Sequence, residues 1–185
     1  MDLSRRQDGI YLRLPPIPQQ AAVKFELLYK VREDDSVVGP VERKRAHSEG
    51  ILHRSGMVFL KRSDGKVLVQ RRSKTKETFP GAYDSSCSFH VKFGETYEEA
   101  ARRELAEETG ITSQLTYLGK FTHFDPPENE IVAVFASESD EIVKIDPDES
   151  WVMEFWSKEE IDRIVDGTSA SPWLRDAWKL LRDSF

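Results

Sequence analysis

Apolar residues alternate with polar ones along several short segments of the chain, a pattern that is typical of β-strands. It predicts strands over 23–31, 51–62, 66–72, 112–123, 129–137 and 150–156. A Ser-Asp-Gly-Lys turn at 63–66 separates two of these segments and predicts a hairpin over 51–72. The short apolar run SSCSFHV follows a Pro-Gly loop.

The clearest helix of the sequence is predicted over 96–109, where apolar residues recur at helical spacing. Thr96 and Glu99 form a capping-box pattern at its start, and Gly110 suits its C-terminal cap. Glu98 and Arg102 have the spacing of an ordinary surface ion pair, as do Glu99 and its partner four residues on, Arg103.

Two further helices are predicted near the end of the chain. One begins near Lys158 and ends at Gly167, and the other starts at Ser171-Pro172. Strands combined with a central helix and terminal helices indicate one mixed α/β domain over 21–185. The proline-rich residues 1–20 are interpreted as an extension, either flexible or ordered.

Composition narrows the possible functions. The 185 residues include 27 Lys+Arg and 33 Asp+Glu, a formal net charge of −6, which gives no support to bulk binding of nucleic acid or an anionic membrane. A single cysteine excludes an intrachain disulfide framework and a cysteine-rich zinc site. Because no stretch approaches the ~18 apolar residues of a membrane span, a cytoplasmic protein is expected.

Three carboxylates in the predicted central helix are harder to explain. Glu104, Glu107 and Glu108 lie in its C-terminal half, where the helix dipole disfavours negative charge. Glu104 and Glu108 are also like charges one turn apart, on a face shared with apolar residues. The pattern predicts a cation there, and Mg²⁺ prefers carboxylate oxygens. The alternative is a solvated acidic face that tolerates the repulsion.

The spacing of these residues resembles the Nudix box, G-x5-E-x7-R-E-U-x-E-E-x-G-U, in which U is aliphatic. Every position from Glu95 to Ile111 fits, and the departure is Phe89 at the first glycine. The resemblance implies a Nudix-like α/β/α sandwich with a mixed sheet. It also implies Mg²⁺- or Mn²⁺-dependent hydrolysis of a nucleoside diphosphate-type or related pyrophosphate. Phe89 puts the backbone geometry of the preceding loop in question, since glycine permits conformations that phenylalanine does not.

The same resemblance assigns roles within the box. It implies that Glu104, Glu107 and Glu108 are metal ligands with a catalytic function. Arg103 matches the arginine that orients a carboxylate and completes the set of candidate catalytic residues. Glu95 matches the family's outer glutamate and is a further candidate ligand. The general base is expected to be either a box glutamate or one downstream.

Sequence outside the box resembles isopentenyl diphosphate isomerase and the Nudix hydrolases close to it. The resemblance is carried by VLVQRRSKTKETFPGAYDSSCSFHVKFGE, by the ENE and SPW segments, and by DDSVVGPVERKRAHSEGILHR. In those isomerases three histidines and two glutamates hold a metal, and the matching positions here are His47, His53, His90, Glu128 and Glu130. Spacing alone would give each histidine the simpler interpretation of a surface or hydrogen-bonded side chain.

Arg72 and Lys76 match the isomerase positions that contact diphosphate. Guanidinium and ammonium groups suit phosphate oxygens, so both are candidate substrate-binding residues. The alternative for this basic segment is a solvated charged loop. His123 matches no family position and has no predicted role.

Ser88 stands where the isomerases have their catalytic cysteine, and serine is a far weaker acid. Cys87 is one residue away and would face the opposite side of a strand. The complete box also favours hydrolysis, because the isomerases generally lack it. In contrast, Glu130 and Trp173 keep positions that the isomerases use to move a proton and to stabilise a carbocation. Trp173 is equally consistent with packing in an amphipathic helix.

Three hypotheses follow from these patterns. The leading one is a metal-dependent Nudix pyrophosphohydrolase, and the alternative is isopentenyl diphosphate delta-isomerase. The third is a binding module without turnover, which only Phe89 supports. The expected partner is a small-molecule diphosphate, not nucleic acid or a membrane, while the leaving group and oligomeric state stay open. Candidates either to stack on a base or to fill the core are Phe79, Phe121 and Phe124.

Overall fold

The computed structural model describes residues 25–144 and 150–182. Its strands are β1 (Leu27–Val31), β2 (Val37–Glu42), β3 (His53–Lys61), β4 (Val67–Arg72), β5 (Tyr83–Asp84), β6 (Cys87–His90), β7 (Leu115–Asp125), β8 (Glu128–Glu138) and β9 (Ser150–Trp156). Its helices are α1 (Arg43–Glu49), α2 (Tyr97–Thr109), α3 (Lys158–Asp166) and α4 (Pro172–Leu181). The predicted extension over 1–20 lies outside the described residues.

Strand β3 connects most of the sheet. It pairs in parallel with β8, from His53 opposite Glu130 to Lys61 opposite Glu138. It pairs antiparallel with β6 and, more briefly, with β1 and β4. Strand β7 extends the sheet beyond β8, while β9 and β5 pair with β4. Parallel and antiparallel neighbours together make the mixed sheet that the sequence predicts.

Helices cover both faces of this sheet. Successive residues of a strand point to opposite faces, so β3 contributes to two separate cores. Met57 and Phe59 pack with Trp178 of α4, in a cluster that also contains residues of α3. Val58 packs with Leu105 of α2 on the other face. These layers confirm the predicted α/β/α sandwich.

Helix α2 begins and ends as its sequence predicts. The Thr96 side chain accepts a hydrogen bond from the Glu99 backbone, and the Glu99 side chain accepts one from the Thr96 backbone. The glycine after the helix adopts a left-handed φ of 72°. Arg102 pairs with Glu98 at 2.7 Å. The predicted pairing of Glu99 with Arg103 is wrong, because Glu99 caps the helix and Arg103 binds other carboxylates.

Two local features differ from the simplest sequence prediction. The turn of the 51–72 hairpin forms, but Lys61 and Val67 at its tip are the only ladder pair between β3 and β4 among the described residues. Helix α1 was not predicted, and its only buried residue is Ala46, so it carries almost no periodic apolar signal. Strands β7 and β8 also begin and end one to three residues from their predicted limits.

Phe89 does not distort the chain before α2. It lies in β6 opposite Gly56, and within the described residues the only non-glycine positions with positive φ are Asp35 and Phe79. A Cβ on Gly56 would come within 2.5 Å of the Phe89 ring, so this glycine makes room for the phenylalanine. Gly94, with φ of 102°, supplies the left-handed turn nearer the helix. Phe89 therefore has an ordinary strand backbone, which answers the question that the sequence raised about this loop.

Candidate functional site

Three carboxylates converge on one guanidinium at α2. Arg103 donates from Nε and Nη2 to the two oxygens of Glu95, each at 2.8 Å. Its Nη1 donates to Glu104 and lies 3.4 Å from Glu107. The three carboxylates around Arg103, together with Glu108 one turn after Glu104, are called the acidic cluster below. Arg103 thus orients Glu95 by a bidentate contact, as its resemblance to the box arginine implies.

Burial divides the acidic cluster. Glu108 is 2% exposed, whereas the Glu107 side chain is 59% exposed. Burial raises the pKa of Glu104, and the contact with Arg103 only partly offsets it. The donors are carboxylate oxygens alone, the set that a hard ion such as Mg²⁺ prefers. The residues therefore fit such an ion by the chemistry of their donors.

A cavity of about 950 Å³ lies between α1 and α4. Charged and polar side chains from several elements line it, and none of the acidic cluster is among its described lining residues. The predicted site residues in its lining are His47, His90, Glu128, Glu130, Arg72, Lys76, Ser88 and Trp173. The structure therefore separates the predicted residues into two groups.

A group at one side of this cavity is called the histidine cluster: His47 of α1, His90 of β6, Glu128 and Glu130 of β8, which line the cavity, and the buried His53 of β3 behind them. The ligand atoms of the three histidines all lie within 4.8 Å of one another. The two Nε2 atoms of His47 and His90 are 3.1 Å apart. Glu130 Oε1 lies 3.3 Å from His90 Nε2 and 3.5 Å from His53 Nε2. Four separate elements thus bring nitrogen and oxygen donors to one point.

Outer hydrogen bonds fix how two of these rings present their lone pairs. His53 Nδ1 lies 2.8 Å from the carbonyl oxygen of Ile51, which can only accept, so Nδ1 carries a proton. In the neutral ring the His53 Nε2 lone pair then faces the cluster, buried and without a hydrogen-bond partner. His47 Nδ1 likewise lies 3.0 Å from Glu128. This arrangement is typical of metal-binding histidines, and imidazole nitrogens favour transition-metal ions over Mg²⁺.

Glu130 is the charged centre of the histidine cluster. Burial raises its pKa, but the close contacts with the rings of His53 and His90 outweigh that effect and hold the pKa well below its ordinary value. Ser55 donates a further hydrogen bond to it at 2.9 Å. Burial lowers the pKa of His90, so this ring favours its neutral, ligating form. The pKa of His53 shifts the other way: burial lowers it, but the contact with Glu130 outweighs burial and raises it above its ordinary value.

A basic wall faces into the same cavity. Arg72, at the end of β4, has a side chain only 12% exposed and lies with its guanidinium 5.6 Å from the Trp173 ring centre. Lys76 lines the cavity a few residues further along the chain. Arg43 and Lys44 of α1 also line it, and the sequence interpretation missed both because the Arg-Lys-Arg run carried no motif.

The structure also places the serine and cysteine of β6 as predicted. Ser88 lines the cavity, whereas Cys87 is fully buried in the core cluster on the α2 face. Burial raises the pKa of the Cys87 thiol well above its ordinary value. Cys87 therefore cannot replace the isomerase cysteine from the neighbouring position.

The aromatic candidates separate into two groups. Phe79 is 38% exposed and packs edge-on against Trp173 beside the cavity, with ring centres 5.2 Å apart. Phe121 packs against the core, and Phe124 is 58% exposed away from the cavity lining. Trp173 both packs in the core and lines the cavity. Phe79 is thus the aromatic candidate nearest to the basic wall.

Comparison with known proteins places this geometry in a family. The model of the NUDIX domain matches residues 51–176, which is more than half of the chain. The chain belongs to the Nudix family. This assignment supports a Nudix hydrolase, an enzyme that acts on acid anhydrides, without specifying its substrate.

Similar proteins include both hydrolases and isomerases. An isopentenyl-diphosphate delta-isomerase of Serratia proteamaculans is 31% identical over 160 residues, covering 84% of this chain and 88% of that protein. An uncharacterised Nudix hydrolase of Pseudomonas aeruginosa is 36% identical over 132 residues, covering 70% of this chain and 78% of that one. Both resemblances noted in the sequence are therefore confirmed as family relationships.

Solved structures agree on the fold. The crystal structure of DR0079 from Deinococcus radiodurans has a TM-score of 0.73 and 31% identity, and the match covers 83% of this chain and 98% of that one. A MutT protein of Methanosarcina mazei, at 24% identity and a TM-score of 0.63, shares the fold. None of the helices in the described residues has the length and apolar character needed to cross a membrane.

Proposed function

We propose that this protein is a metal-dependent Nudix pyrophosphohydrolase that cleaves the pyrophosphate bond of a nucleoside diphosphate-type or related small molecule. The observation that carries the proposal is the acidic cluster. Its full set of carboxylates is present, and Arg103 holds Glu95 and Glu104 in fixed positions. Helix α2 has no structural need for these charges in its C-terminal half, where they oppose the helix dipole.

The acidic cluster would hold Mg²⁺, with Mn²⁺ as the substitute, through Glu104, Glu107 and Glu108, and Glu95 would support them. The ion would supply neutralisation of the pyrophosphate charge and a lower pKa for an attacking water. Arg103 binds Glu95 and Glu104 and offsets part of the repulsion among the cluster's carboxylates. A carboxylate of this cluster, or a glutamate downstream of it, would accept the proton of the attacking water.

The basic wall would bind the substrate. Arg72 brings a guanidinium charge to the cavity wall that attracts phosphate oxygens, and Lys76 adds a mobile charge. The histidine cluster would hold a second, softer divalent ion beside them. Its donor set fits such an ion because His53 Nε2 is buried without a hydrogen-bond partner. The cavity of about 950 Å³ has room for a substrate larger than a diphosphate alone.

The test of hydrolysis is Glu108→Gln, which removes one carboxylate charge and keeps the side chain's size. We expect kcat for diphosphate cleavage in Mg²⁺ to fall by at least about 100-fold, since charge stabilisation is lost at the reacting group. Glu98→Gln is the matched control, because Glu98 lies exposed on the same helix and pairs only with Arg102 among the described residues. Full activity of the Glu108 variant would overturn the proposal.

Isopentenyl diphosphate isomerisation is the alternative, and the histidine cluster together with Trp173 in the cavity favours it. Ser88 argues against it, since the hydroxyl of serine is a much weaker acid than a thiol. An isomerase would exchange solvent deuterium into isopentenyl diphosphate. We expect no such exchange by the protein in Mg²⁺, and exchange at a rate comparable with hydrolysis would reverse this ranking.

The third possibility is a binding module without turnover, and its only support was an expected distortion at Phe89. Phe89 adopts an ordinary strand position, and the loop that leads to α2 keeps its capping box. Tight binding of a nucleotide without product formation over a long incubation would nevertheless favour it. We expect turnover instead.

A further inference from the structure

Asp84 is a carboxylate with no exposed surface that lies directly behind the cavity wall. Its Oδ2 accepts hydrogen bonds from Arg72 Nη1 at 3.0 Å and from Ser88 Oγ at 3.3 Å. Its Oδ1 accepts from the Ser85 backbone at 2.9 Å and from Ser171 Oγ at 3.1 Å. A carboxylate has about four lone-pair positions, so donors occupy all of them in Asp84.

This carboxylate holds one edge of the Arg72 guanidinium. The opposite edge donates to the carbonyl oxygen of Thr78, from Nε at 3.2 Å and from Nη2 at 3.1 Å. The ring of Trp173 lies 5.6 Å from the guanidinium carbon. Arg72 is therefore fixed before any ligand arrives, and it need not lose rotamer freedom when it binds an anion.

The same carboxylate decides where the Ser88 proton points. An ionised Asp84 can only accept, so the single hydroxyl proton of Ser88 is directed at it. Arg72 Nη1, 3.5 Å from Ser88 Oγ, also donates toward that oxygen. Ser88 consequently has no proton to give to a molecule in the cavity.

Asp84 also connects this wall to α4. Ser171 is the N-cap of that helix, and its hydroxyl accepts from the Leu174 backbone while donating to Asp84. Trp173 lies in the first turn of the same helix. Through Ser171, Asp84 thus links the position of Arg72 to that of Trp173.

We propose that Asp84 is a positioning residue of the substrate site: it holds Arg72 in the orientation that binds a diphosphate and keeps the Ser88 proton directed away from the cavity. The inference rests on the proposed function, since it supposes that a diphosphate binds at Arg72. It adds a residue that favours hydrolysis over isomerisation. The Ser88 hydroxyl stands at the position of the isomerase cysteine, and its proton is donated to Asp84.

A double-mutant cycle tests the link between Asp84 and Arg72. The probe is methylenediphosphonate, a diphosphate analogue that cannot be hydrolysed, and its affinity is measured by calorimetry. We expect Asp84→Asn to weaken binding about tenfold, as for a lost charged hydrogen bond. The same change should have less than about a twofold effect in an Arg72→Gln background. An equal loss in both backgrounds would overturn the proposal.

Two further variants keep the experiment decisive. Asp64→Asn is the matched control, because Asp64 is an exposed turn carboxylate paired with Arg62. The affinity of this variant for methylenediphosphonate should equal that of the wild type. A single change at Asp84 leaves the Arg72 charge buried and unpaired, which can unfold the protein. The double variant removes both charges together, and thermal unfolding of this variant and of both single variants shows whether each protein used in the cycle is folded.

A second readout does not depend on binding. A guanidinium held by several hydrogen bonds has a slowly exchanging Nε–H signal in proton–nitrogen NMR spectra, which Arg72→Gln would identify by its loss. We expect Asp84→Asn, but not Asp64→Asn, to speed that exchange at least about fivefold. Unchanged exchange would overturn the positioning role. A wild type that holds Arg72 firmly but fails to bind the probe would instead overturn the proposed diphosphate site.

Discussion

The acidic cluster and the histidine cluster are built in opposite ways. The acidic cluster comes from one helix and the loop before it, so its members have fixed spacing in the sequence. The histidine cluster takes its five residues from α1, β3, β6 and β8, and β3 pairs in parallel with β8 and antiparallel with β6. A site on one helix can be found from its spacing, whereas a site assembled from several elements depends on the whole fold.

The two clusters also differ in their chemistry. The acidic cluster offers oxygens alone and has Arg103 as its internal cation. The histidine cluster adds imidazole nitrogens, and its buried His53 Nε2 has no hydrogen-bond partner. Hard ions suit the first set and softer divalent ions suit the second. Two sites with separate metal preferences are therefore expected in one domain.

The largest expected effect concerns the nitrogen donors. Changing His90 to Gln should lower the affinity of the histidine cluster for Zn²⁺ by about 100-fold, because a ligand is lost from a preformed site. His123→Gln is the matched control, since His123 lies outside this cluster and bonds to Asp176 at 3.2 Å. Calorimetric titration with Zn²⁺ measures the change, and equal affinities of the two variants would show that the histidines do not bind the ion.

The arginine inside the acidic cluster should have the next largest effect. In Arg103→Gln the carboxylates lose their common partner, and we expect kcat for hydrolysis to fall by about 30-fold. Arg102→Gln is the control, because Arg102 pairs with Glu98 on the exposed side of the same helix. If both variants kept wild-type kcat, Arg103 would have only a structural part in the cluster.

The basic wall should show its effect in KM. Arg72→Gln removes a positive charge from the cavity wall and should raise KM for the diphosphate substrate about tenfold, with a smaller change in kcat. Lys74→Gln serves for comparison, since Lys74 is not among the described residues that line the cavity. Steady-state kinetics measure both constants, and an unchanged KM in the Arg72 variant would place the substrate elsewhere.

The smallest expected effect is on stability and concerns Asp35, which connects the start of α2 to β3 through hydrogen bonds. It accepts hydrogen bonds from Arg54 at 2.7 Å, Lys120 at 2.7 Å and the Tyr97 hydroxyl at 3.2 Å. Burial raises the pKa of Asp35, but Lys120 and Arg54 outweigh it and the pKa lies below its ordinary value. We expect Asp35→Asn to lower the free energy of unfolding by about 1–2 kcal/mol at pH 7.

The sign of the Asp35 effect follows from linkage. A carboxylate with a lowered folded-state pKa stabilises the protein above its unfolded pKa, and that contribution disappears as the pH falls through the folded value. The wild type should therefore lose its advantage over Asp35→Asn between about pH 5 and pH 2. Urea unfolding at both limits measures it, and a difference that is independent of pH would contradict an ionised Asp35.

The acidic cluster could be predicted from the sequence more completely than the histidine cluster or helix α1, and the reasons are physical. The capping box of α2 and its carboxylates follow local rules of helix geometry, so both could be predicted from spacing. The ligand set around His53 could be named only through a family resemblance, because its members meet by the pairing of distant strands. Helix α1 was missed, since its single buried residue leaves no apolar period.

Asp84 shows a further limit of sequence patterns. It is an acidic residue in a run of small polar ones, and nothing in its spacing indicates a fully buried carboxylate. Its importance comes from Arg72, Ser88 and Ser171, which reach it from three other elements. Phe89 illustrates the reverse, because the family pattern raised a doubt that a glycine on the neighbouring strand removes.

The most direct test of the proposed function is the product that this protein makes from a mixed pool of diphosphates. The pool would hold nucleoside di- and triphosphates, nucleotide sugars, ADP-ribose and isopentenyl diphosphate with Mg²⁺, and phosphorus NMR and chromatography would identify the products. We expect cleaved pyrophosphate bonds, seen as nucleoside monophosphate or inorganic phosphate, and their absence in Glu108→Gln. Dimethylallyl diphosphate with both phosphates intact, formed equally by that variant, would contradict hydrolysis at the acidic cluster.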